Sequence, residues 1–170
     1  MQENACSECL YVVFLPMFRL LLVCTLLTPA IGVSERLVTF QDLKCSLNLP
    51  GGYSVVARNV GRQVVVRLGK SALQIIYSPK AIPEKTFQDL ASKMKSLLAM
   101  KKGQKIISEE RQGRGYRIVI ENHAVKHESK SAIFLLRFEK SMYRLQFTSA
   151  ANDFNLASYN TIVASLVATE

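Results

Sequence analysis

From Lys44 onward, apolar residues recur mostly at every second position. Cys45, Leu47 and Leu49 alternate with Lys44, Ser46 and Asn48, the period of a strand with one buried face. Pro50-Gly51-Gly52 forces a turn. Tyr53–Ala57, Gln63–Leu68 and Ala72–Tyr77 read as three more strands, separated by Asn59/Gly61 and Gly69-Lys70, which suit hairpin turns. Pro79 and Pro83 close this strand region. The period then changes: Phe87, Leu90, Met94, Leu97 and Leu98 fall at i, i+3, i+7, i+10 and i+11, which predicts one helical face. Thr86 is its expected N-cap, with Asp89 as capping-box partner, and Gly103 its terminator.

Sheet resumes with Lys105–Glu110, a turn at Gly113 and Gly115, and a strand in which Tyr116, Ile118 and Ile120 alternate with Arg117, Val119 and Glu121. A polar hairpin spans Asn122 to Ser129. Ser131–Phe138 is nearly all apolar, as a central strand requires. Tyr143, Leu145 and Phe147 alternate with Arg144, Gln146 and Thr148. A closing helix follows, with Tyr159, Ile162, Val163 and Leu166 on one face and Asp153 or Asn155 as its cap. Segregated strands and helices with hairpin-length gaps imply α+β: a mostly antiparallel sheet packed by helices.

The N-terminus follows a different logic. Leu20–Leu27 is unbroken apolar, Arg19 precedes it, and Ala30-Ile31-Gly32 is a small-x-small site. These are the parts of a secretory leader, so residues 1–32 read as a signal segment cut after Gly32, and 33–170 as one domain. Residues 1–16 carry Glu3 and Glu8 and no Lys or Arg, whereas a start at Met17 gives Met-Phe-Arg before the apolar run. We therefore expect translation from Met17. The alternative is an uncleaved anchor from Leu10 to Ile31, which is long enough to span. The chain is thus expected outside the cytoplasm, periplasmic in a bacterium, or membrane-associated if the leader is kept.

Three of the four cysteines lie in this leader. Cys6 and Cys9 form a CxxC with no second ligand pair nearby, and Cys24 follows Val23 rather than the small residue a lipidation site prefers. Cys45 is left without a partner, so packing rather than a disulfide must hold the domain. The net charge is +9, and removing Arg19, Glu3 and Glu8 with the leader brings it to about +10. A basic surface favours an acidic protein, a polyanion or an anionic membrane. Lys101, Lys102 and Lys105, with Arg111 and Arg114 in the next turn, are the candidate binding residues.

Two motifs resemble catalytic ones. His123 and His127, flanked by Glu121 and Glu128, have i, i+4 spacing; on a helix it serves a metal, but on a strand end and hairpin the pair is too far apart. Ser92 and Lys95 match SxxK without its companion motifs. No P-loop or GxSxG spacing occurs. The expectation is no catalytic residue, no metal site and no cofactor. Arg67, Arg117 and Arg144 sit on predicted strands, but Tyr143 and Phe147 alternate away from Arg144, which argues against a nucleic-acid stacking face.

The strand Tyr143-Arg-Leu-Gln-Phe147, then Asp153-Phe154, Tyr159, Ile162 and Ser165-Leu166, together with Leu49-Pro50-Gly51-Gly52-Tyr53 at the front, resemble the PsbP-like superfamily over Leu37 to Ala168. That superfamily includes the DcrB-like envelope proteins and a nuclear Ran-binding relative. Tyr53 stands where the family often has Trp. The resemblance implies an α/β/α sandwich and an accessory or binding role, and it brings no shared catalytic residue. PsbP itself resembles an assembly partner on the lumenal side of a photosynthetic complex. Together these readings give an exported, non-catalytic accessory protein of the cell envelope. The alternatives are an exported enzyme with a site around the histidines, or a binder of polyanions or anionic lipid.

Overall fold

The computed structural model describes residues 34–59, 61–123 and 128–169. The leader, with Met17, Cys6, Cys9 and Cys24, lies outside the described residues, as does His127.

Among the described residues, ten strands form two sheets. β1 (Glu35–Phe40), β2 (Cys45–Pro50) and β10 (Val167–Ala168) make a small one in the order β1-β2-β10. The large sheet holds β3 (Ser54–Asn59), β4 (Gln63–Leu68), β5 (Ser71–Ser78), β6 (Gln104–Gln112), β7 (Gly115–His123), β8 (Glu128–Arg137) and β9 (Met142–Ala150). Its order is β3-β4-β5-β9-β8-β7-β6, every pair antiparallel. Two meanders therefore meet at β5–β9, and α1 (Glu84–Met100) carries the chain between them. This is the expected α+β architecture, antiparallel sheet packed by helices.

Each face of the large sheet has its own cover. Val64, Val66, Leu73, Ile75, Leu145 and Phe147 point to one side, where they meet α2 (Leu156–Ala164) and the inward residues of β2. Tyr143, fully buried, ties the two sheets by donating its hydroxyl to the carbonyls of Leu43 at 3.0 Å and Lys44 at 2.7 Å. On the opposite side α1 lies over β6, β7 and β8: Leu98 on Ile118, Ile120 and Ile133, and Phe87 and Ala91 on Leu135.

Several expectations need correction. β1 and β10 were not foreseen. β1 is an edge strand with a mostly exposed burial pattern, and β10 is two residues held by β2, so neither carries a periodic apolar signal. Val119 is buried although it alternates with Ile118 and Ile120, because β7 is covered on both faces. Helix α1 starts at Glu84, so Thr86 falls in the first turn rather than at the cap; the Pro83 carbonyl accepts from the Phe87 amide at 2.9 Å. Glu84 suits that end, where a carboxylate meets the positive pole of the helix and Arg111 and Arg137 reach it at 2.9 and 2.7 Å. Leu97 is 56% exposed, off the packed face. At the other end, Gly103 stands at φ +79 in the turn that follows α1, where its carbonyl accepts from the His123 amide. Asn155, not Asp153, caps α2 by accepting from the Ser158 amide at 3.0 Å. Leu166 is buried beyond the end of α2 rather than on it.

Candidate functional site

Among the described residues, helix α1 packs on β6, β7 and β8 and on Met142 at the start of β9, and leaves the other half of its side of the sheet uncovered. Cross-strand register gives the composition of the other half. Arg67, Ala72, Thr148 and Ser131 form one row across β4, β5, β9 and β8. Val65, Gln74, Gln146 and Ile133 form the next, and Gln63, Ile76, Arg144 and Leu135 the third. Strand β3 adds Ser54, Ala57 and Asn59 opposite Arg67, Val65 and Gln63. On this face β3, β4, β5 and β9 present two arginines, several amides and no aspartate, glutamate or aromatic residue.

Arg144 stands where α1 ends its cover, between Ile76 on the open side and Leu135 beneath Phe87 and Ala91. It is partly buried, and its Nε is sealed from solvent with no hydrogen-bond acceptor. Burial draws its pKa down from the usual arginine value. Two other arginines have a similarly sealed Nε. Both are compensated: Arg117 donates to Asn160 at 3.1 Å and pairs with Glu110, and Arg137 pairs with Glu84. Arg144 alone of the three has no ion pair among the described residues. A desolvated cation without a counter-charge destabilises the free fold, and an acceptor from outside would relieve it.

The loop candidates do not converge. Lys101 and Lys102 are exposed in the α1–β6 turn, and Lys105 faces Glu121 across β6–β7. Arg111 is at the far end of β6, about 20 Å of strand away, bound to Glu84 and 6.0 Å from the Tyr116 ring. Arg114 lies 4.0 Å over the Phe138 ring. Strand alternation was the signal for Arg144 and Arg67, but it could not show which arginine lacks a partner.

The catalytic look-alikes are placed as surface groups. Lys95 donates to Glu109 at 2.7 Å and borders, with Ser92, a cleft of about 230 Å³, smaller than most ligand pockets. His123 is half-exposed, 3.8 Å from both Glu121 and Glu128. The Lys130 ammonium holds the Glu121 carboxyl below its ordinary pKa. Among the described residues no group of three or more His, Cys, Asp or Glu is placed to hold a metal, and no helix is long and apolar enough to cross a membrane. Cys45 is fully buried, and burial pushes its thiol up to about 12.

No family model matches the chain, and no curated protein matches it in sequence. A crystal structure from Bacteroides thetaiotaomicron superposes with a TM-score of 0.54 at 10% identity, over 75% of this chain and 46% of that one. The likeness is one of fold, and this chain spans about half the length of that protein. LpqN, involved in cell envelope biogenesis of Mycobacterium tuberculosis, superposes with a TM-score of 0.48 at 12% identity, over 82% of this chain and 92% of that one.

Proposed function

We propose that this chain is a non-catalytic accessory protein of the cell envelope, exported by its leader, that holds an acidic polypeptide against the open half of its large sheet. The observation that carries the reading is Arg144, a partly buried guanidinium with no ion pair among the described residues on a face without a carboxylate. A carboxylate laid beside it would restore the missing hydrogen bonds and the charge balance together. Arg67 offers a second anchor two strands away. Gln63, Gln74 and Gln146 can donate to and accept from peptide groups, and Val65 and Ile76 give small apolar contacts. The absence of aromatic side chains on β3, β4, β5 and β9 there disfavours nucleic acid, which would need stacking partners. An accessory role agrees with the resemblance to PsbP-like proteins.

Titrating isotopically labelled protein with poly-L-glutamate tests the reading. Amide shifts should map to β4, β5 and β9 around Gln74, Gln146 and Arg144, and Arg144→Gln should abolish them. Shifts confined to the turn at Lys101–Lys105 would refute it. Edman sequencing of the exported form should begin at Val33; a form beginning at Met1 would overturn the export part.

A further inference from the structure

A second surface stands apart from the open sheet. Residues 90–108 contain Lys93, Lys95, Lys101, Lys102 and Lys105 and no aspartate or glutamate. The stretch runs from the middle of α1 through the turn into β6. Lys95 is bound to Glu109 and Lys105 faces Glu121. Lys93, Lys101 and Lys102 are exposed and make no ion pair among the described residues.

Three large apolar side chains are exposed within the same stretch, Leu97 at 56% and Met100 at 78% on α1 and Ile107 at 42% on β6. Lys93, Leu97 and Met100 fall at i, i+4 and i+7, so they form one stripe along α1, and Lys101 follows it at the start of the turn. That stripe is distinct from the buried one of Phe87, Ala91 and Leu98. The helix is therefore amphipathic twice: one stripe enters the core, and the second puts apolar side chains between unpaired ammonium groups. On α1 the nearest carboxylate is Asp89, one turn before Lys93 and about 12 Å of helix before Leu97. Near the end of the sheet, Glu121 is held by Lys130 at 2.9 Å, and Glu128 is exposed beside His123.

We infer that this stripe docks the protein, peripherally and reversibly, on an anionic lipid bilayer. Leu97 and Met100 enter the boundary between headgroups and acyl chains, and Lys93, Lys101 and Lys102 meet the lipid phosphates. Two apolar side chains are far less than the roughly 800 Å² per partner of a specific protein interface. A membrane needs no matching surface, and its charge acts over a Debye length to supply the remaining attraction. The inference is independent of the open-sheet reading, since none of these residues belongs to that face.

The full-length exported protein is co-sedimented with vesicles of mixed phosphatidylglycerol and phosphatidylcholine, and with phosphatidylcholine alone. Binding is expected to the mixed vesicles only and to weaken with salt. K93Q/K101Q/K102Q should lower the partition coefficient on the order of 100-fold, at about five-fold per lysine near the surface. L97S/M100S should lower it roughly ten-fold. R144Q should bind vesicles as the parent does while losing poly-L-glutamate. All five exposed positions can be changed without touching the core, and an unchanged melting temperature verifies that the variants fold. Equal binding to neutral vesicles, undiminished binding by the triple lysine variant, or no binding to the anionic vesicles would overturn the inference. In the last case, loss of poly-L-glutamate binding in the triple lysine variant would assign the stripe to an acidic protein instead.

Discussion

Arg144→Met separates stability from binding. Methionine keeps the aliphatic stem beside Ile76 and Leu135 and removes the charge that no described carboxylate balances. An unsatisfied buried polar group costs about 1–3 kcal/mol. Because the guanidinium keeps part of its hydration, about 1 kcal/mol is the appropriate figure. The variant should therefore be more stable than the parent by that amount. With a urea m-value of about 2 kcal/mol/M, the unfolding midpoint should rise by roughly 0.5 M at unchanged m. Poly-L-glutamate should then stabilise the parent by mass action and leave the variant unmoved. A variant destabilised by more than about 1 kcal/mol, or one stabilised by the polyanion as much as the parent, would refute the reasoning. Either result would mean that Arg144 is compensated within the fold.

Tyr143→Phe should cost about 1–3 kcal/mol by urea unfolding, since it strips the Leu43 carbonyl of a buried donor while the Lys44 carbonyl keeps the Thr169 amide at 2.8 Å; a loss below about 0.5 kcal/mol would count against the tie between the sheets. Gly115→Ala should cost about 2–3 kcal/mol, because its Cβ would lie 2.6 Å from the Leu135 carbonyl oxygen and 2.7 Å from Leu136 Cδ2. Gly113→Ala, at φ +51 in open space, should cost only about 1 kcal/mol; equal losses would contradict this distinction. Cys45 should resist a thiol reagent until the protein unfolds. Its thiol is raised to about 12 from an ordinary 9.0, so the unfolded chain loses the proton first. The Cys45 contribution to stability should be constant below about pH 9 and fall above it by about 1.4 kcal/mol per pH unit, a slope that Cys45→Ala should remove.

Much of the fold was legible because it rests on local periodicity. The alternation of Cys45, Leu47 and Leu49, and of Tyr143, Leu145 and Phe147, put these side chains in the core, and the structure buries all of them completely. What was missed depended on neighbours distant in sequence. Val167 and Ala168 are a strand only because Ser46 and Cys45 pair with them. Thr86 lost the cap because Pro83 already presents its carbonyl to the Phe87 amide. Of the candidate site, alternation placed Arg144 on the face opposite Tyr143, whereas its lack of a counter-charge depends on neighbours distant in sequence.

The chain by itself determined both helices and most of the strands, and the apolar side of each apart from Leu97, since those properties arise from steric and solvation preferences repeated every two or 3.6 residues. It also determined that the surface would be basic. Only the tertiary structure decided that α1 covers half a face, with nothing among the described residues over the rest. It also decided that Arg117 and Arg137 find acceptors while Arg144 finds none among the described residues, and that Gly115 is required for space and Gly113 for its backbone angle. Those outcomes depend on which strands pair and in what register, and register joins residues such as Ile76, Arg144 and Leu135 that no local pattern relates.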